Sequence, residues 1–163
     1  MIENEQAFYD TYVFIFQSKF KLPKKSMLFS ALMAGEPWGW RVVGITEGAL
    51  NELAKNDFKY TKGLVCRAHF VDRIETARVI FDKLIPKDQF FKQYFETDET
   101  VITLKSENIS GGPSEYIPMN LERKLFLSRQ VGFTHSQNER AHLRDLHTAY
   151  HAGKVAPIAR SVK

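Results

Sequence analysis

Apolar residues recur along the chain at two different spacings. A spacing of three to four residues is typical of one helix face, and it predicts helices over 47–55, 73–84, 87–96 and 137–151. Short apolar or alternating runs are typical of strands, and they occur at 38–45, in the run that begins at Gly63, and at 100–104, 116–117 and 125–133. The pattern predicts a single α+β (mixed α/β) domain, in which a central sheet of about four to six strands is flanked by four or five helices.

The N-terminal quarter is less clear. Residues 2–21 carry apolar side chains at helical spacing, but the centre, 12–16, is rich in β-forming residues and fits a strand as well. We favour a helix there, and a short helix over 26–34. The lysine-rich connection at 19–25 is typical of a solvated loop, with an anion-binding loop as the alternative.

Three helix starts carry capping signals. Thr46 precedes the helix at 47–55, and its hydroxyl can accept a hydrogen bond from an unpaired amide of the first turn. Asp72 with Glu75, and Ser136 with Glu139, have the three-residue separation of a capping box. These signals predict where the helices begin, and they give Asp72 a structural role.

Composition limits the class of protein. The chain has 163 residues, of which 44% are hydrophobic and 13% aromatic, and this predicts one domain over 1–152 with an aromatic core. Residues 153–163 form a basic tail. Cys66, the single cysteine, excludes an internal disulfide and predicts a buried thiol. Without a signal peptide or a membrane-length apolar run, we expect a cytoplasmic protein with no membrane partner.

The segment from Gly63 to Phe81 joins a strand to a helix and is crowded with ionisable residues. On an alternating strand, Arg67 and His69 share one face, and Arg73 follows closely. A neutral imidazole can accept a proton near neutral pH, so His69 is a candidate general base. Arg67 and Arg73 are candidate phosphate contacts. The alternative is a structural hydrogen-bond network around His69.

A second candidate cluster ends the strand at 100–104. Lys105 can stabilise a leaving group, Glu107 can hold a divalent ion, and Asn108 can contact nucleic acid. Asp98, before the same strand, can supply another carboxylate to Mg²⁺ or Mn²⁺. The alternative is an ordinary polar turn.

The predicted C-terminal helix carries a third cluster. His147 and His151 are four residues apart on one helix face, a spacing that can hold a metal, but no Glu directly follows His147, so the zinc-protease motif is absent. Arg140 and Arg144 are candidate nucleic-acid contacts on the same helix. A solvated polar face is the simpler interpretation.

Several motifs are missing from the sequence. The glycine-rich patterns that bind dinucleotides or nucleotide phosphates do not occur, so no nucleotide or flavin cofactor is indicated. The carboxylate pattern of many nucleases is not met either. His69 shares only one feature, a histidine ending a strand before a helix, with His-Asn-His nucleases.

The net charge of +4 and the first two clusters favour a protein that acts on nucleic acid. The most concrete hypothesis is a small metal-assisted DNA endonuclease of the restriction type, a hydrolase of phosphodiester bonds, and a homodimer is compatible with it. One alternative is a non-catalytic nucleic-acid-binding module that uses the lysines at 19–25, the basic tail and exposed aromatic residues. Another is a protein-interaction or assembly subunit that uses the aromatic face at 90–95.

Overall fold

The computed structural model of the protein describes residues 4–34, 36, 39–60, 63–108, 112–119, 125–126 and 136–160. Its helices are α1 (Glu5–Gln17), α2 (Leu22–Met33), α3 (Glu47–Ala54), α4 (Arg73–Asp82), α5 (Lys87–Thr97) and α6 (Gln137–His151). Its strands are β1 (Arg41–Ile45), β2 (Val65–His69), β3 (Glu99–Leu104), β4 (Glu115–Pro118) and β5 (Ile158–Ala159). A 3₁₀ turn, Lys105–Glu107, follows β3.

The five strands form one mixed sheet in the order β2-β3-β1-β4-β5. β1 and β3 are parallel, and the other neighbouring pairs are antiparallel. The parallel pair requires a long crossover, which contains α3, α4, α5 and the edge strand β2. The predicted α+β class, with one sheet and flanking helices, is confirmed.

The sheet buries apolar side chains on both faces. On one face, Val42 and Ile102 pack with α3 and α6 in the largest core cluster. On the other, Val43 and Val101 pack against Phe70. Neighbouring residues of one strand point to opposite faces, and this alternation explains why Val42 and Val43 enter different cores.

A second core lies among α1, α2, α4 and α5. Most of its buried members are aromatic, namely Phe8, Tyr12, Phe29, Phe90, Phe91 and Tyr94. The helix predicted at the N-terminus is confirmed, because Phe8, Tyr12 and Ile15 lie on the buried face of α1. Phe90, Phe91 and Tyr94 are at most 7% exposed and belong to this core, whereas Phe95 of the same aromatic face is partly buried.

The helices predicted to begin at 47, 73, 87 and 137 begin at those residues. The Thr46 hydroxyl accepts a hydrogen bond from the Ala49 amide, and Ser136 forms the complete capping box with Glu139. Asp72 occupies the N-cap position of α4 but makes no side-chain capping hydrogen bond, so that capping box does not form. α2 begins earlier than predicted, at Leu22, because Pro23 fits the first turn of a helix.

The C-terminal segment is partly built into the sheet. Ile158 pairs with Tyr116 of β4, and the Arg160 amide donates to the Ser114 carbonyl. The boundary predicted at residue 153 therefore falls before a strand. Of the strand predicted at 125–133, only 125–126 lie within the described residues, and they are not in a strand. No helix in the described part of the chain is long and apolar enough to cross a membrane.

Candidate functional site

The two predicted clusters lie at opposite ends of the β2–β3 pair. His69 pairs with Thr100, whereas Val65 pairs with Leu104, after which Lys105 to Asn108 follow. The four steps from Thr100 to Leu104 span about 14 Å at about 3.4 Å per residue. The structure therefore does not bring His69 together with Lys105, Glu107 and Asn108, as one hydrolytic site would require.

Glu107 is held in a structural network. Its Oε2 accepts hydrogen bonds from the Thr46 hydroxyl at 2.6 Å, the Thr103 hydroxyl at 3.0 Å and the Leu104 amide at 3.1 Å. The carboxylate also lies against Gly48, where a Cβ atom would collide with Oε1. Glu107 thus fastens the turn after β3 to the start of α3.

An open pocket of about 550 Å³ lies beside Glu107. Its wall includes two further carboxylates, Glu47 and Glu115, and the ring of Tyr116. Three carboxylates around one pocket repel a phosphate, so this end of the sheet is unsuited to a nucleic-acid backbone. Lys105 and Asn108 are exposed and are not among the residues that line it.

The predicted metal ligands are also separated. Asp98 precedes β3 and Glu107 follows it, so the six-residue strand of about 17 Å lies between them. Among the residues that the structure describes, no group of three or more His, Cys, Asp or Glu side chains is arranged to hold a metal ion. Asp98 and Glu107 cannot share one ion in this arrangement.

Arg140 and Arg144, on α6, lie apart from both ends of the β2–β3 pair. Arg144 forms an ion pair of 2.7 Å with Asp57 and lies over the ring of Phe58 at 5.7 Å. Arg140 is half-buried on the same side. His147 and His151 contact each other edge to face, and His151 Nε2 lies 3.1 Å from the Asn51 side-chain oxygen. The charge of Arg144 is thus already balanced within the fold.

Arg67 is a partly buried structural residue. Its guanidinium donates to the Trp40 carbonyl at 3.1 Å and to the Phe126 carbonyl at 2.6 Å. Burial lowers the pKa of Arg67 to about 10, although nearby Glu139 and Asp98 oppose that shift. Because its donors face main-chain carbonyls, Arg67 is not placed to bind a phosphate.

His69 and Asp98 line one small cavity of about 20 Å³, a space for a single water molecule. Burial, reinforced by Arg73 and Arg67, lowers the pKa of His69 to about 4, and its Nε2 has no hydrogen-bond partner among the described residues. Burial raises the pKa of Asp98 to about 7, against the opposing contacts from the Tyr94 hydroxyl and the Trp40 amide. At neutral pH the histidine is uncharged, and Asp98 is near the midpoint of its titration.

The main chain of Trp40 is held by these buried groups. Its amide donates to Asp98 Oδ2 at 2.5 Å, and its carbonyl accepts from Arg67 and, at 3.2 Å, from the Thr100 hydroxyl. Trp40 has a φ of 53°, in the left-handed region that a bulky residue rarely adopts. Such a conformation costs about 1–3 kcal/mol and persists only where the surroundings enforce it.

The side chain of Trp40 lies at an open groove of about 500 Å³. One wall is a face of α2 between Pro23 and Ala34, and the other is the first turn of α4, with Arg73 and Ile74. We call this the α2–α4 groove. The Arg73 guanidinium lies 6.0 Å from the Trp40 ring, a cation–π distance. In contrast to the pocket at Glu107, the α2–α4 groove is lined by no acidic residue among those described.

The groove adjoins the cavity of His69 and Asp98, because Ser30, Trp40 and Arg73 line both. The lysines at the start of α2 flank its Pro23 end, and Lys21 and Lys24 are exposed. Of the predicted site residues, the structure therefore brings together Arg67, His69, Arg73 and Asp98. The groove is the candidate functional site.

Sequence reasoning missed Trp40. Position 40 lies within the strand predicted at 38–45, whereas β1 begins only at Arg41. The available signal was the Trp38-Gly39-Trp40 sequence, which places both tryptophans of the chain directly before a strand.

Comparison of the chain with protein-family models, curated proteins and solved structures finds no match.

Proposed function

We propose that the protein binds nucleic acid in the α2–α4 groove. The observation that carries this proposal is the pairing of Arg73 with Trp40 at the wall of a groove that has no acidic lining among the described residues. A guanidinium can contact a phosphate, and an indole can contact a sugar or a base. Lys21 and Lys24 add positive charge at one end, and the net charge of +4 attracts a polyanion.

Phosphate binding by lysine and arginine releases counterions from the nucleic acid. The observed affinity then falls as salt rises, with a slope set by the number of phosphates neutralised. Three cations at the groove, Lys21, Lys24 and Arg73, predict a slope of about 2–3 on a double-logarithmic plot. This slope separates backbone binding from contacts that depend only on apolar packing.

The test is fluorescence anisotropy with labelled oligonucleotides between low and moderate salt. Lys21→Glu/Lys24→Glu and Arg73→Glu should each weaken binding at least tenfold and reduce the salt slope. Lys59→Glu is the control for Arg73→Glu, since both change the net charge by the same amount and Lys59 is an exposed lysine beyond α3, beside the Asp57–Arg144 pair. Absence of binding at low salt, or an equal loss in Lys59→Glu, would overturn the proposal.

Phosphodiester cleavage is a separate hypothesis from binding. The metal-assisted endonuclease predicted from the sequence needs His69 and Glu107 at one phosphate, and they lie at opposite ends of the β2–β3 pair. The geometry therefore supports binding better than cleavage by that set of residues. Incubation of plasmid DNA with Mg²⁺ or Mn²⁺ tests the point directly. Nicking by the native protein that disappears in His69→Ala would restore the endonuclease hypothesis for His69.

A further inference from the structure

We infer that the α2–α4 groove selects unpaired nucleotides, with one base stacked on the indole of Trp40. This inference rests on the proposed function, because it concerns the same groove, and it names the form of nucleic acid that the groove accepts.

The indole of Trp40 is only partly covered by the protein. Its ring meets the His69 ring edge to face, with centroids 5.6 Å apart at 83°. The Arg73 guanidinium lies 6.0 Å from the ring, and the side chain lines the open groove as well as the inner cavity. An aromatic ring with a neighbouring guanidinium at an open surface is a suitable stacking platform, because every base has a π-face.

The backbone of Trp40 is held in an unusual conformation by hydrogen bonds with three side chains. A left-handed φ of 53° favours glycine or asparagine, yet a tryptophan occupies the position. Two buried side chains, Asp98 and Thr100, and the partly buried Arg67 hold its amide and carbonyl. Backbone strain that buried polar groups maintain is concentrated at binding sites, where it holds a side chain ready for its ligand. At Trp40 this backbone conformation directs the indole towards the groove.

Only an unpaired base can stack on this ring. In a duplex both faces of each base are covered by its neighbours, and a base must leave the stack before a protein can contact its face. The groove, at about 500 Å³, lies within the size range of small-ligand sites, which is the scale of a single base and not of a double helix. A flexible single strand can place one base on Trp40 while its phosphates lie near Arg73, Lys21 and Lys24.

The experiment uses the full chain with Trp38→Phe, so that Trp40 is the single tryptophan. Three DNA probes of equal length are compared at one salt concentration: a single strand, its duplex, and a single strand with abasic sites. We expect the single strand to quench the tryptophan fluorescence and to bind about tenfold more tightly than the other two. Trp40→Ala, in the native background, should lose that preference, and Trp40→Phe should retain most of it.

The outcomes separate the two proposals. If the three probes bind alike, or if Trp40→Ala keeps the preference for bases, stacking on Trp40 is overturned while nucleic-acid binding stands. If no probe binds at low salt, the proposed function fails, and the inference fails with it. Circular dichroism of Trp40→Ala checks that the variant is folded. If it is not, the preference for the single strand is compared between the native protein and Trp40→Phe.

Discussion

The main-chain amide of Trp40 donates a hydrogen bond of 2.5 Å to the carboxylate of Asp98, which is only 4% exposed. The two residues belong to segments 58 positions apart, before β1 and before β3. Because β1 and β3 are parallel neighbours, their starting ends lie side by side and the contact can form. This contact links the buried polar cluster to the open α2–α4 groove.

Removal of the Asp98 carboxylate should release Trp40. In Asp98→Ala the Trp40 amide has no acceptor, and a buried unpaired donor costs about 1–3 kcal/mol in the free energy of unfolding. Urea unfolding measures this loss. Asp98→Asn retains an acceptor oxygen and should recover most of the stability. Equal losses in the two variants would show that the hydrogen bond to Trp40 is not what Asp98 contributes.

The same pair of variants tests the binding site. In Asp98→Ala the preference for a single strand over its abasic analogue should fall, because the indole is no longer held in place. Binding to the abasic strand, which depends on the lysines and Arg73, should remain. A uniform loss for all probes would instead indicate general damage to the groove.

Stability should depend on pH through two opposing groups. The folded pKa of His69, about 4, lies below its usual 6.5, so its contribution to stability is lost as the pH falls from 6.5 towards 4. The folded pKa of Asp98, about 7, lies above its usual 3.8, so its contribution is lost as the pH rises from 4 towards 7. Between pH 4 and 6.5 the two slopes largely cancel.

Single variants should reveal each slope. Asp98→Asn leaves the effect of His69, so its stability relative to the native protein should fall with falling pH, by at most about 1.4 kcal/mol per pH unit. His69→Gln leaves the effect of Asp98, so its relative stability should rise over the same range. Urea unfolding at pH 4.5, 5.5 and 6.5 measures both. Parallel pH profiles for the three proteins would contradict the opposing shifts.

Gly48 should not tolerate a side chain. Although alanine is better than glycine in a helix by about 1 kcal/mol, a Cβ at this position collides with Glu107 Oε1. Displacement of that carboxylate weakens its hydrogen bonds from Thr46 and Thr103. We expect Gly48→Ala to lower the free energy of unfolding by about 1–2 kcal/mol. In a Glu107→Ala background the same change should be neutral or stabilising, because the obstacle is gone.

The hydroxyl of Tyr12 should be important for packing α1. It donates to the Ile80 carbonyl at 3.0 Å and accepts from the Ile85 amide at 2.9 Å, in a side chain that is fully buried. Tyr12→Phe leaves both groups unpaired and should cost about 1–3 kcal/mol by urea unfolding. Tyr9→Phe is the matched control, since its half-buried hydroxyl only donates to the Ile85 carbonyl. A similar loss in both variants would argue against a special role for Tyr12.

The candidate site was only partly predictable. Arg67, His69 and Arg73 were identified because ionisable residues at a strand-to-helix junction are unusual. Their roles could not be predicted from the sequence, because burial decides them. Arg67 faces main-chain carbonyls, and the pKa of His69 falls to about 4. Asp98 was predicted as a partner of Glu107, but the intervening strand β3 places it beside His69 instead. Sequence proximity is a poor guide across a strand, because its ends are far apart.

The sequence by itself determined the α+β class and most helix starts, since spacing and capping act over a few residues, as at Thr46 and Ser136. Only the tertiary structure decided that the residues around 40, 69, 73 and 98 meet, because strand order brings segments about 60 positions apart into contact. It also decided the charge state of the buried groups, since pKa shifts depend on desolvation and neighbours that no local pattern encodes. Trp40, inconspicuous in the sequence, became the centre of the site through contacts with Asp98, Arg67 and Thr100.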